Sequence, residues 1–181
     1  MRPHTAYIAL GSNLGDRQPS LQRAIRLLSE VPVIGIASDG IASLYETDPV
    51  GGDDLPLFLN SVIRVATTLG PADLMAALLE VERLMGRKRE GRWGSRLIDL
   101  DLLLFGAHVT ESPAVTLPHP RMHERRFVLE PLAEIAGEVL HPVLGATIAE
   151  LNAALGDVSD QRIVRIAGPE WVKKQWIGNS G

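Results

Sequence analysis

Leu97-Ile98-Asp99-Leu100-Asp101-Leu102-Leu103-Leu104-Phe105 is an apolar run broken only by two aspartates two residues apart and closed by Gly106. Its length and its glycine stop predict a strand. Side chains at i and i+2 of a strand share a face, so this spacing puts both carboxylates on one side, about 6.6 Å apart at ~3.3 Å per residue. Upstream, Gly70-Pro71 opens a helix that carries Leu74, Leu78, Val81 and Met85 on one face, with Gly86 placed to end it. Before that helix, residues 33–45 and 57–68 are rich in β-branched and apolar side chains and predict two strands. They are separated by Thr47 to Asp54, a loop too long for a tight hairpin. Leu21, Ala24, Ile25 and Leu28 mark an earlier helix. Ala6-Tyr7-Ile8-Ala9-Leu10, closed by the turn-forming run Gly11 to Asp16, marks a buried strand. The resulting order, β-α-β-β-α-β, is the signature of a ferredoxin-like α+β sandwich, an antiparallel sheet backed on one face by two helices.

Beyond this core lie a proline-rich stretch from Pro113 to Pro120, a short helix around Phe127 to Ile135, and a helix from Thr147 opened by the capping box Thr147-x-x-Glu150. These additional C-terminal helices are expected to decorate the sandwich. Residues 1–156 read as a single domain, and 157–181, with Trp171 and Trp176, as a tail that packs on the body or meets a partner.

The chain of 181 residues, 45% hydrophobic and 22% charged, has room for one domain with a sizeable core. Its 18 basic and 22 acidic residues give a net charge of −4, which argues against coating nucleic acid by bulk charge. Without cysteine there are no disulfides, thiolate metal sites or cysteine nucleophiles. The apolar stretch at the start is too short for a signal-peptide core, and no run of 18 uncharged apolar residues occurs. The expectation is a soluble, cytoplasmic protein with no membrane or nucleic-acid partner.

Two carboxylates amid leucines repel each other unless cations sit between them. Magnesium, a hard ion that takes a few carboxylate oxygens and fills its shell with water and phosphate oxygens, is the simplest occupant. The other reading is a solvated strand end or pairing with nearby arginines. Six of the 18 basic residues (Arg83, Arg87, Lys88, Arg89, Arg92 and Arg96) lie just upstream, opposed within that window only by Glu90. Arginine forks grip phosphate oxygens bidentately, and magnesium with arginine is the usual clamp on a nucleotide's phosphates. For the basic loop alone, a solvated or RNA-contacting surface is the lesser alternative. Neither a P-loop nor a dinucleotide fingerprint is present, so side chains would have to hold the nucleotide.

Phe58 and Asn60 share a strand face, and an aromatic plane beside an amide suits a flat heterocycle with ring nitrogens. Core packing of Phe58 and a loop bond for Asn60 explain these two residues as well. Phe127, beside Arg125 and Arg126, is a candidate for the opposing face, and Trp93 is an aromatic inside the basic loop. His119, in Pro118-His119-Pro120-Arg121, lies where it could reach a phosphate or ribose.

Arg92-Trp93-Gly94-Ser95-Arg96-Leu97-Ile98-Asp99-Leu100-Asp101-Leu102-Leu103 resembles the signature of the 6-hydroxymethyl-7,8-dihydropterin pyrophosphokinases of folate biosynthesis. Tyr7 to Gly15, Tyr45-x-Thr47-x-Pro49, Phe58-Leu59-Asn60, and Leu117-Pro118-His119-Pro120 through Arg125-x-Phe127 agree with that family in order and spacing. The resemblance covers roughly residues 5 to 155 and leaves the tail outside. It implies an enzyme that moves pyrophosphate from the co-substrate ATP to the pterin's hydroxymethyl oxygen with two magnesium ions, releasing AMP; separately, the chain is expected to be a monomer. It puts Asp99 and Asp101 on both ions and Arg87 and Arg96 near the transferring phosphates. Arg89, Arg92, His119 and Arg125 would contact the nucleotide, and Glu82 would lie near its sugar. The pterin would lie between Phe58 and Phe127, its edge read by Asn60 and by the loop of Thr47, Asp48 and Val50, with Trp93 closing over it. Two alternatives keep the fold: an RNA-binding ferredoxin-like domain, and a pterin- or nucleotide-binding relative without turnover.

Overall fold

The computed structural model describes residues 2–49, 56–86, 97–156 and 161–173. The elements run β1 (His4–Ser12), α1 (Arg17–Ser29), β2 (Ile34–Ile41), β3 (Leu44–Thr47), β4 (Phe58–Thr67), α2 (Pro71–Leu84) and β5 (Asp99–Phe105). They continue with a small hairpin, β6 (Thr110–Glu111) and β7 (Thr116–Leu117), then α3 (Arg126–Ala136), α4 (Ile148–Gly156) and β8 (Ile163–Ala167). The main sheet is ordered β5-β1-β4-β3-β8, with β2 also paired to β4. Its pairings are antiparallel.

Local chemistry explains the element ends. Pro71 sits in the first turn of α2, where its missing N–H costs nothing, and Gly86 beyond that helix takes a φ of 85° that a side chain would resist. At α4 the capping box closes reciprocally: Thr147 N donates to Glu150 at 2.8 Å and Glu150 N donates to Thr147 Oγ1 at 3.2 Å.

The strand expected over 33–45 is divided between β2 and β3. Around the break, backbone groups turn toward side chains: Ser43 N donates to Glu134 at 2.9 Å, and Ala42 O accepts from Ser61 Oγ and from Trp171 Nε1. Gly11 and Ser12, expected in a turn, are the last two residues of β1, paired with Asn60 and Leu59.

The sheet is covered on both faces, where the sequence suggested helices on one. Ala6, Ile8, Leu10, Ile63, Val65, Leu100 and Leu102 pack with Leu21, Ile25 and Leu28 of α1 and Leu74, Leu78 and Val81 of α2. Tyr7, Val62, Leu103 and Leu104 pack instead with Val128, Leu129 and Leu132 of α3 and Ile148 of α4. Both faces of the central strands carry large apolar groups, so a single layer of helices would have left the second set in water. The residues 161–173 belong to the body as well. β8 pairs with β3, and Trp171, 5% exposed, packs in the core beneath α1 and donates from Nε1 to Ala42 O at 2.9 Å. Among the described residues, no helix is long and apolar enough to cross a membrane.

Candidate active site

One row of residues crosses the sheet at the level where β5 begins. Asp99 pairs with Gly11, Gly11 with Asn60, Asn60 with Tyr45, and Tyr45 with Arg165. Side chains opposite one another in a ladder share a face, here the face covered by α3. Neighbouring strands lie about 4.8 Å apart, so the carboxylate of Asp99 and the amide of Asn60 originate about 10 Å from each other with a glycine between them. Asp101, two residues along β5, projects from the same face beside Ala9.

The glycine is part of the geometry. A Cβ on Gly11 would lie 3.0 Å from Asn60 Oδ1 and 3.8 Å from Phe58 Cδ1. Any larger residue would press on both groups proposed to receive a flat ligand. Glycine within a strand often marks a close approach of this kind, a signal obscured when Gly11 is read as a turn.

Asn60 is 6% exposed and donates from Nδ2 to Thr47 Oγ1 at 2.7 Å; Thr47 is itself 3% exposed. One amide hydrogen is thereby committed to holding the side chain's orientation. Phe58 stands half-buried opposite Thr47. Asp48, at the end of this wall, lies 3.6 Å from Arg162, with both side chains about half exposed. Arg17, at the start of α1, braces the approach to Phe58 by donating to Leu57 O at 2.7 Å and to Glu46 at 3.0 Å.

The opposite wall is the start of α3. Arg125 is its N-cap, with Nη1 3.9 Å from Asp101 Oδ2 and its guanidinium 5.7 Å from the centre of the Phe127 ring. Burial and the carboxylate of Asp101 pull the pKa of Arg125 in opposite directions; burial dominates and lowers it, without making the guanidinium neutral at ordinary pH.

His119 follows the open side of β5, its N–H donating to Leu103 O at 2.9 Å. Burial, aided by the nearby Arg125 charge, brings its pKa down to about 4, so the ring is neutral at physiological pH. Its Nδ1 accepts from Arg121 N at 3.2 Å, which leaves the proton on Nε2 and makes that nitrogen a donor. Glu82, 2% exposed on α2, accepts from Leu100 N at 2.8 Å and so fixes the backbone between the two aspartates.

The structure therefore brings together Asp99, Asp101, Asn60, Phe58, Thr47, Arg125, Phe127 and His119, with Glu82 behind β5. Arg87, Arg89, Arg92, Trp93, Arg96 and Val50 lie outside the described residues.

A polar row set into one face of an otherwise apolar sheet, walled by a basic and aromatic helix end, is the architecture of an enzyme site rather than of a packing surface. Residues 7–137 match the family 7,8-dihydro-6-hydroxymethylpterin-pyrophosphokinase (HPPK), and the chain belongs to it. The chain is 47% identical over 134 residues to the 2-amino-4-hydroxy-6-hydroxymethyldihydropteridine pyrophosphokinase of Bacillus subtilis, covering 74% of this chain and 79% of that one. It is 40% identical over 148 residues to the enzyme of the same name from Pseudomonas aeruginosa, covering 82% and 90%. Among solved structures, an HPPK-DHPS chain of Plasmodium falciparum superposes with a TM-score of 0.69 at 17% identity, a likeness of fold alone. That match covers 84% of this chain but 45% of the longer one. The sequence-based family resemblance is thus borne out, and the chain is a pyrophosphokinase of folate biosynthesis.

Proposed function

We propose that the chain transfers the pyrophosphoryl group of ATP to the hydroxymethyl oxygen of 6-hydroxymethyl-7,8-dihydropterin, at the row formed by Asp99, Gly11 and Asn60. The observation that supports this most directly is the cross-strand pairing Asp99–Gly11–Asn60, which gives carboxylates and a heterocycle-reading amide one shared face. Phe58 and Phe127 take the two faces of the pterin, while Asn60 and the loop of Thr47, Asp48 and Val50 read its edge. An O–P bond forms at the β-phosphorus as the bond to the bridging oxygen breaks, AMP leaves with that oxygen, and the hydroxyl proton is released to solvent. Arg87 and Arg96 act on the charge that spreads over the transferring group. Arg89, Arg92, Arg125 and the Nε2–H of His119 hold the nucleotide, Glu82 lies toward its sugar, and Trp93 covers the pterin.

The donor set fits magnesium. Asp99 and Asp101 share one face of β5, and Asp101 remains 36% exposed, open to a ligand. Carboxylates are hard oxygen donors, and an ion held by these two would complete its shell with water and phosphate oxygens, which suits magnesium better than zinc. Two ions held by Asp99 and Asp101 would neutralise phosphate charge when bound.

The sheet order, with β2 and β3 together lying beside β4, supports a ferredoxin-like core in residues 1–156. We propose that the chain acts as a cytoplasmic monomer. The deciding experiment mixes the protein with ATP, magnesium and the reduced hydroxymethylpterin. AMP and a pterin diphosphate are expected; ADP and a pterin monophosphate would replace this reading with simple phosphoryl transfer.

A further inference from the structure

α3 begins with a difficulty. Its N-cap residue is Arg125, whose side chain is a donor and makes no capping bond to the first-turn N–H groups. The cap comes from far along the chain. Gln161 Oε1 accepts from Arg126 N at 2.9 Å, Gln161 Nε2 donates to Glu124 O at 3.0 Å, and Gln161 O accepts from Arg126 Nη1 at 3.4 Å. Glu124 O and Arg126 N are the peptide groups on either side of Arg125. The Gln161 amide therefore pairs with them as a neighbouring strand would, and Arg125 between them has the extended backbone, φ −117° and ψ 105°, that this pairing requires.

Arg125 and Phe127 are the two side chains that the start of α3 presents to the candidate site, toward Asp101 and toward each other. Gln161 is itself anchored. Two residues on, β8 pairs with β3, with Ile163 opposite Thr47 and Arg165 opposite Tyr45, and further along Trp171 is buried in the core. One short segment thus connects the Thr47 wall of the site with the Arg125–Phe127 wall. It lies beyond residue 137, where the family match ends.

We infer that Gln161 is a positioning residue for the pyrophosphokinase reaction, holding Arg125 and Phe127 in register with Thr47 and Asn60 through the bracket it forms around Arg125. This rests on the pterin and nucleotide assignments proposed above. Arg162 adds little, because its pair with Asp48 is half exposed and such pairs are weak.

The test uses the full chain. Gln161→Met keeps the side chain's length and removes both amide bonds. KM for the pterin and for ATP should each rise about tenfold, as expected when a binding wall loses its alignment, with kcat within about twofold. Losing a cap lowers Tm by about 2–4 °C in any case, so Tm alone decides nothing. Gln161→Glu retains an acceptor for Arg126 N, at a helix N-terminus that favours negative charge, and should recover most of the loss in KM. Arg125→Ala and Phe127→Ala serve as references. If they raise KM while Gln161→Met lowers only Tm, the glutamine is a structural cap and the inference is overturned. If neither reference variant changes either KM, the site assignment itself fails and the inference falls with it.

Discussion

The two faces of the sheet are built from the same strands and do opposite work. On the face toward α1 and α2, β1, β4 and β5 present Ile8, Leu10, Ile63, Leu100 and Leu102, all at most 3% exposed. On the other face, one residue out of step, the same strands present Gly11, Asn60, Asp99 and Asp101 at one end and Val62 and Leu103 against α3 farther along. Burial on the first face supplies the free energy that holds carboxylates and an amide in place on the second. A strand's period of two makes this division possible without extra chain.

The sharpest break of the comparison exchanges charge for neutrality on the functional face. Asp99→Asn or Asp101→Asn should lower kcat by about 10³-fold, roughly 4 kcal/mol of transition-state stabilisation. Each change relieves like-charge repulsion, so Tm measured without magnesium should hold or rise for Asp99→Asn, while Asp101→Asn also gives up its pairing with Arg125 and should change Tm little. AMP release followed across a magnesium titration is the check; near-normal turnover by either variant would remove the carboxylates from the chemistry.

The complementary change is Leu100→Ala, between the two aspartates but facing α2. Leu100 is 1% exposed, and truncating such a side chain typically costs about 3 kcal/mol. Urea unfolding should show that loss, while both KM values stay within about twofold under conditions where the variant remains folded. A large rise in KM with unchanged stability would mean that the faces are not separable.

A smaller effect is expected at Gly11. Gly11→Ala puts a methyl 3.0 Å from Asn60 Oδ1 and 3.8 Å from Phe58, on the functional face only. Pterin affinity measured by calorimetry should drop about tenfold, roughly 1.4 kcal/mol, with little change for ATP. Equal loss for both ligands would indicate that the strand itself has shifted.

How far the sequence reveals this arrangement depends on distance along the chain. That Asp99 and Asp101 share a face follows from two residues of one strand, and the helix bounds at Pro71 and Gly86 follow from local backbone chemistry. The row from Asp99 through Gly11 to Asn60 depends on the register of three strands that are far apart in sequence, which no local period encodes. Family resemblance brings Asn60 and Asp99 together but gives no reason for the glycine between them. The second helical layer was hidden for a related reason: α3 is visibly amphipathic, yet which sheet face it covers depends on Tyr7 and Val62 being left for it. Gln161 was beyond reach, because an amide in a polar stretch carries no sign that it will cap a helix beginning 35 residues earlier.

The smallest expected effect concerns the border between site and scaffold, at His119. Its folded pKa of about 4 lies below the unfolded value near 6.5, first because burial disfavours the imidazolium and next because Arg125 repels it. Between these values the unfolded chain binds a proton that the folded chain refuses. The contribution of neutral His119 to stability is therefore complete above about pH 6.5 and is lost progressively as the pH falls toward 4. The ring is partly exposed, so solvent screening limits the loss to about 1 kcal/mol. Carboxylates elsewhere also titrate below pH 5, and the difference between wild type and a variant isolates the histidine. His119→Asn keeps a short acceptor for Arg121 N but cannot charge. Urea midpoints from pH 7.5 to 4 should show the wild type losing stability relative to this variant as the pH falls. If the two curves run parallel, His119 titrates as it would in water, and its neutral Nε2–H donor has no basis in the fold.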